Sequence, residues 1–102
     1  MKYTIETTKL AHITNEYNLM FLYSFNPIFS LKMRKHIIDA IDSLSTFPHS
    51  HTIYKHSKRK TYRKLVVNDL YHIIYFISKN TVRILYIIDA RKEFDEYYYY
   101  LN

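Results

Sequence analysis

Apolar residues recur at two different spacings in the first part of the chain. Alternation of Tyr3 and Ile5 with polar neighbours over Met1 to Glu6 predicts a short strand. Steps of three and four residues then predict a helix from Leu10 to about Phe25, with Thr7 or Thr8 as its N-cap. The buried side of this helix is predicted to carry Leu10, Ile13, Tyr17, Met20 and Phe21, with His12, Asn15, Glu16 and Asn18 largely outside.

A second helix is predicted to begin at Asn26-Pro27, because Asn is a favourable N-cap and Pro is tolerated at the first helical position. The helix ends before Phe47-Pro48. Its buried stripe is predicted to be Phe29, Met33, Ile37, Ala40, Ile41 and Leu44. Since the joint between the two helices is short, we expect an antiparallel helical hairpin.

After His51 the spacing becomes that of strands. A weak strand is predicted at Thr52–His56, and better ones at Tyr62–Val67, Leu70–Ser78 and Val82–Asp89. The last two are apolar on both faces, which is typical of the middle of a sheet. The segment Arg91 to Leu101 is a short helix or an edge segment. The prediction is one α+β domain spanning residues 1–102: an N-terminal strand, an antiparallel helical hairpin, then an antiparallel sheet of four or five strands.

Composition excludes several classes of protein. The 102 residues contain no Cys, which excludes disulfides and thiolate metal sites and suits a cytoplasmic location. They contain no Gly either, which excludes glycine-dependent phosphate loops, and we predict no cofactor. No run approaches the roughly 18 apolar residues of a membrane span, and Lys2, Glu6 and Lys9 are incompatible with a signal peptide.

Positive charge is concentrated in one part of the sequence. Of the formal net charge of +6, residues 49–88 carry eight basic residues against one acid, Asp69, and the densest run is Lys55 to Lys60, continuing to Arg63 and Lys64. Such a surface attracts nucleic acid, an acidic protein or anionic lipid. A solvated basic loop is the plain alternative.

Histidine and serine patterns are less informative. His49, His51 and His56 have a spacing compatible with zinc, but no acidic or Cys ligand lies nearby in the sequence, so we predict no metal site. A Ser–His–Asp hydrolase is not supported, because no glycine is available for a nucleophile elbow.

The twelve tyrosines fall into two groups. Tyr17, Tyr75 and Tyr86 lie within the apolar pattern and are predicted core residues. Tyr54, Tyr62 and the run Tyr97 to Tyr100 are predicted contact residues, because aromatic rings beside Lys and Arg suit base stacking.

Four passages carry a resemblance to a known family: Leu44–Pro48 (LSTFP), Tyr62–Val67, Leu70–Tyr75 (LYHIIY) and Ile84–Arg91 (ILYIIDAR). In this order they resemble the RelE/ParE superfamily of bacterial type II toxins. The resemblance implies a cognate acidic antitoxin that covers the basic surface. It also implies one of two activities: metal-independent cleavage of messenger RNA on the ribosome, as in RelE, or poisoning of DNA gyrase, as in ParE.

RNA cleavage by the 2′-hydroxyl needs a base, a phosphate-neutralising cation and a proton for the leaving oxygen. Arg63 matches a basic position of the RNA-cutting members, and His72 lies where those relatives usually carry arginine. Lys64 or Leu65 falls near a second basic position, which only the register with Lys64 would preserve. The resemblance implies catalytic roles for Arg63, His72, Arg91 and Tyr98, and nucleic-acid or antitoxin contacts at Lys58, Arg59, Lys60, Lys64 and Lys92.

Alternatives remain open at several of these positions. His72 is either an acid–base group or a partly buried structural histidine, and Arg63 either contacts phosphate or a partner or makes a salt bridge to Asp89 or Glu93. We expect a ribosome-dependent messenger RNA endonuclease. A gyrase poison without nuclease activity is the alternative, and a basic nucleic-acid-binding module is a further one.

Overall fold

A strand, two helices and four further strands follow one another along residues 2–57 and 60–90, the part of the chain that this computed structural model describes. The strands are β1 (Thr4–Thr7), β2 (Thr52–Ser57), β3 (Lys60–Val67), β4 (Tyr71–Ser78) and β5 (Thr81–Asp89), and the helices are α1 (Lys9–Phe25) and α2 (Pro27–Ser43). The predicted α+β class and element order are confirmed. The segment Arg91 to Leu101 lies outside the described residues.

The five strands form one sheet in the order β1-β5-β4-β3-β2. The two strands that are apolar on both faces, β4 and β5, are therefore interior, as predicted. β2, β3, β4 and β5 form antiparallel pairs, but β1 pairs with β5 in parallel, so the sheet is mixed rather than antiparallel. Alternation in β1 predicts a strand but contains no information on a neighbour more than 70 residues away in sequence.

Both helices begin at the predicted caps. The hydroxyl oxygen of Thr8 accepts a hydrogen bond from the amide of Ala11 (3.1 Å), and the side chain of Asn26 accepts one from the amide of Phe29 (3.1 Å). Each bond satisfies an amide that has no partner within its own helix. Within the described residues, neither helix is long and apolar enough to cross a membrane.

Two turns are built without glycine. Asn68 and Asp69, between β3 and β4, have φ of 52° and 56°, and Lys79, between β4 and β5, has φ of 56°. This left-handed region normally favours glycine, and among other residues Asn and Asp tolerate it best. Asn68 and Asp69 therefore form the β3–β4 turn without a glycine.

The predicted buried side of α1 is wrong. The five residues of that stripe (Leu10, Ile13, Tyr17, Met20 and Phe21) are all exposed, with Tyr17 and Met20 each at 69%. Ala11 and Leu19 are buried instead, and the polar Thr14 and Asn18 are half-buried. The helix therefore turns a mixed side toward the sheet, on which the polar Thr14 and Asn18 lie beside Ala11 and Leu19.

Hydrogen bonding along one edge of β5 explains this orientation. β1 pairs with β5 only as far as Ile84, and α1 then bonds to the backbone beyond it. The amide of Ile87 donates to the Thr14 hydroxyl (3.1 Å), and the Asn18 side chain donates to the Ile87 carbonyl (2.7 Å). A buried backbone group without a partner costs about 1–3 kcal/mol, so these bonds favour the side of α1 that carries Thr14 and Asn18 facing inward.

The main core lies between the helices and one face of the sheet. From α2 it receives Met33, Ile37 and Leu44, which are fully buried as predicted, whereas Phe29 at the start of the stripe is 38% exposed. Tyr75 also lies in this core, which confirms its predicted burial.

A second buried cluster lies on the opposite face, which we call the open face of the sheet. It consists of Tyr62, Ile74, Phe76, Tyr86 and Ile88, and neither α1 nor α2 contributes a residue to it. Burial of Tyr86 is as predicted. Tyr62 was predicted to be a contact residue, but it is only 1% exposed, because the register of β3 points its ring into this cluster.

Candidate functional site

Strand register divides the predicted site residues between the two faces of the sheet. Arg63 is paired with the core residue Tyr75 and so lies on the helix side. Lys64 is paired with Ile74, and His72 lies two residues from Ile74 on the same strand, so both are on the open face. The structure therefore brings His72 together with Lys64 and separates both from Arg63.

Arg63 anchors the connection between α2 and β2. Its guanidinium donates to the backbone carbonyls of His49 (3.2 Å) and His51 (2.9 Å). Beside it the buried Tyr75 hydroxyl donates to the Pro48 carbonyl (2.6 Å), and burial raises the pKa of Tyr75 to about 12. These bonds give Arg63 a structural role through backbone carbonyls. Glu93, one of the carboxylates predicted to pair with it, lies outside the described residues.

Replacement of Arg63 by alanine is expected to lower the free energy of unfolding by about 1–3 kcal/mol, because two carbonyls lose their donor. Urea unfolding of the purified chain measures the change. Arg83→Ala is the matched control: Arg83 makes an exposed ion pair with Glu6 (3.0 Å), whose loss costs about 1 kcal/mol or less. Equal losses in the two variants would show that Arg63 is not an anchor.

Two lysines on the open face lie over aromatic rings. The ammonium of Lys60 is 4.9 Å from the centre of the Phe76 ring, and that of Lys64 is 4.9 Å from the Tyr54 ring. Such cation–π contacts hold an ammonium in place without neutralising its charge. The open face therefore presents fixed positive charges beside aromatic surface, a combination suited to a polyanion with bases.

A cavity of about 450 Å³ brings Arg63 close to this surface. Its lining includes Lys60 and Phe76 from the open face, and Arg63 and His49 from the other side. Two cations thus border one cavity, although Arg63 already uses its guanidinium to hold backbone carbonyls.

His72 is held in its neutral form. The side chain is half-buried, and its Nδ1 atom is buried from solvent without a hydrogen-bond partner among the described residues. Burial lowers the pKa of His72, the nearby Lys64 lowers it further, and Asp89 opposes the shift. The imidazole is therefore neutral at pH 7 and can accept a proton. As a diagonal neighbour across the strand pair, Lys64 lies roughly 7–8 Å from His72.

Similar architecture occurs in two solved toxin–antitoxin structures. A chain of the chromosomal ParDE TA system from P. aeruginosa matches with a TM-score of 0.72 and 13% identity, over 86% of this chain and 96% of that chain. A chain of the toxin–antitoxin complex RelBE2 from Mycobacterium tuberculosis matches with a TM-score of 0.54 and 17% identity, over 87% and 92%. The chain has the RelE/ParE fold. No protein-family model matches the sequence, and no curated protein is significantly similar to it.

Within the RelE/ParE fold, only part of the predicted site can be placed. Lys60, Lys64 and His72 share the open face, together with Tyr54, which was predicted as a contact residue. Five predicted residues lie outside the described residues and stay predictions: Lys58, Arg59, Arg91, Lys92 and Tyr98. Sequence reasoning missed Phe76, since only the strand register brings it beneath Lys60.

His49, His51 and His56 have a spacing compatible with zinc, although no metal site is predicted there. Within residues 2–57 and 60–90, no three His, Asp or Glu side chains are grouped as metal ligands would be. His51 instead packs its ring edge-on against Tyr75, with ring centres 6.4 Å apart.

The stability of this fold is expected to fall in mild acid. Burial lowers the pKa of both His51 and His72 from the ordinary value of 6.5. Below pH 6.5 the unfolded chain therefore binds more protons than the folded one, and the free energy of unfolding falls until the pH is below the folded-state pKa. Urea titrations between pH 7.5 and about 5 measure the slope. His72→Gln should reduce this slope.

Proposed function

We propose that this chain is the toxin of a type II toxin–antitoxin pair, acting in the cytoplasm as a metal-independent, ribosome-dependent messenger RNA endonuclease. The observation that carries the nuclease assignment is the placement of Lys64 and His72 on the same open face, as diagonal neighbours across β3 and β4. A cation beside a neutral base is the minimum that phosphodiester cleavage by the 2′-hydroxyl requires.

The proposed reaction is an internal transfer at phosphorus. His72 takes the proton of the 2′-hydroxyl, the 2′-oxygen bonds to phosphorus, and the bond from phosphorus to the 5′-oxygen breaks. Lys64 neutralises the charge that builds on the phosphate oxygens. Lys60 lies about 13 Å further along β3 and contacts a neighbouring phosphate. The departing 5′-oxygen takes a proton, for which the C-terminal Tyr98 is the predicted donor.

The proposed partner is an acidic antitoxin. The two solved structures described above come from toxin–antitoxin systems, and the seven net positive charges of residues 49–88 suit an acidic chain. Covering Lys64 and His72 would block access of RNA to the open face. Binding is expected to weaken as salt increases, because exposed charge pairs are screened.

A gyrase poison is the second candidate. The favouring observation is that the ParDE match has a TM-score of 0.72 against 0.54 for the RelBE2 match. The resemblance implies gyrase as the target of the ParE branch. In that case His72 is a structural residue, and substitution of it leaves growth inhibition unchanged.

Induction of the chain in bacteria separates the candidates. We expect new 5′ ends within translated messenger RNA soon after induction, normal plasmid supercoiling, and rescue by co-expression of an acidic protein encoded beside the gene. The His72→Ala variant should produce no new ends. Intact transcripts together with inhibited supercoiling would contradict the nuclease assignment and favour the gyrase poison. Harmless induction, with no gene for an acidic protein next to this one, would contradict the toxin assignment itself.

A further inference from the structure

The outward side of α1 carries a regular apolar seam. Leu10, Ile13, Tyr17, Met20 and Ser24 are spaced alternately by three and four residues, the a and d positions of a heptad pattern. The four large side chains among them are between 37% and 69% exposed. In water this spacing is typical of a helix that packs lengthwise against another helix.

The exposed apolar area of the hairpin reaches the upper limit for an ordinary monomer surface. Side chains that are each more than half exposed include Ile13, Tyr17, Met20 and Phe21 on α1, and Ile28 and Leu31 at the start of α2. At roughly 100 Å² of exposed apolar surface each, these side chains together expose on the order of 600 Å². The largest apolar patch on a typical monomer is about 300–600 Å², and a standard interface covers about 800 Å² per partner. With the neighbouring polar rim, this face has the size of a dimer interface.

Charge distribution favours a second copy as the occupant. Residues 9–43 carry four basic and three acidic residues, so the helical hairpin is almost neutral, whereas the positive charge that attracts acidic partners lies in residues 49–88. In an antiparallel pair of α1 helices, Lys9 lies at the C-terminal end of the partner's helix. That end has partial negative charge, and the last turn of α1 contains no basic residue.

We propose that two copies of this chain associate through α1, with the helices antiparallel about a two-fold axis at Tyr17. The seam from Leu10 to Ser24 is centred on residue 17, so the axis places Leu10 of one copy opposite Ser24 of the partner subunit. Antiparallel packing buries the exposed seam on both copies at once, as isologous interfaces do. This proposal does not rest on the proposed function.

Engineered cysteines test the arrangement, because the chain contains none of its own. Tyr17→Cys is expected to form a disulfide-linked dimer on mild oxidation. Leu10→Cys alone should not, because two copies of residue 10 lie roughly 20 Å apart across the axis at 1.5 Å per residue, beyond the reach of a disulfide. A mixture of the Leu10→Cys and Ser24→Cys chains should cross-link. Cross-linking of Leu10→Cys with itself would overturn the antiparallel arrangement.

Sedimentation equilibrium measures the association without cross-linking. The wild-type chain is expected to dimerise at micromolar concentration, and Tyr17→Glu to raise the dissociation constant at least tenfold while the circular dichroism is unchanged. Phe47→Glu is the matched control, because Phe47 lies outside the seam and is 66% exposed, close to the 69% of Tyr17. A wild-type chain that stays monomeric at 100 μM and above would overturn the proposal. The same result is expected if this face binds only a different protein, so that outcome also counts against it.

Discussion

Replacement of His72 by alanine is expected to reduce RNA cleavage by two orders of magnitude or more while leaving the fold intact. The proposed base is lost, and loss of a general acid–base group typically costs about 10²–10⁴ in rate. The side chain is only half-buried and its Nδ1 has no partner among the described residues, so its removal breaks no bond at that atom. The loss should appear in kcat rather than KM.

Ribosome-programmed cleavage of a defined transcript, followed by primer extension, measures this loss. His12→Ala is the matched control, since it removes an exposed histidine from α1 and should cut at the wild-type rate. Lys60→Ala should instead weaken RNA binding and reduce its salt dependence, because it removes one phosphate-neutralising charge. If His72→Ala cut as fast as wild type, the proposed chemistry would be wrong even if the chain remained toxic.

Replacement of Ile73 by alanine is expected to lower the free energy of unfolding by about 2–5 kcal/mol. Ile73 is fully buried on β4, the middle strand of the five, where it packs in the main core beneath the helices. Truncation leaves a cavity that the surrounding strands cannot close, because β4 is paired on both sides. For a chain of this size the melting temperature should fall by at least 8 °C, since each 1 kcal/mol is worth about 4–8 °C.

Thermal and urea unfolding followed by circular dichroism measure the change. The control is Val66→Ala on the adjacent β3, where the side chain is 45% exposed and its loss should cost less than about 1 kcal/mol. A loss at Ile73 no greater than at Val66 would mean that β4 is not the centre of the sheet, and the fold assignment would then be wrong.

Patterns of residues close together in the sequence were sufficient to predict most of the helices and strands. The caps at Thr8 and Asn26 each depend on one side chain and an amide three residues away, so the sequence contains both partners. Two-sided apolar runs identified β4 and β5 as interior strands. The orientation of α1 could not be found in this way, because it depends on backbone groups of β5 about 70 residues further along the chain.

The candidate site was harder to predict for a related reason. Side chains of adjacent residues in a strand point to opposite faces of the sheet. If a site residue is located only to within one position, the face on which it lies is therefore undetermined. Sequence reasoning placed Arg63 and His72 in one catalytic group. The strand register places these two residues on opposite faces of the sheet, and it is Lys64 that shares a face with His72. The partners of Arg63 are backbone carbonyls, which no residue pattern reveals.

By occupying the free edge of β5, the side chains of Thr14 and Asn18 also protect the sheet from pairing with other chains. The strand β5 is apolar along Ile84 to Ile88. Where the backbone groups at the edge of such a strand have no partner, another chain can pair with them and aggregate. A more apolar residue at position 18 would fit the buried side of a helix by hydrophobicity alone. It would also remove the donor that closes this edge, so the polar residues of α1 safeguard solubility as well as fold.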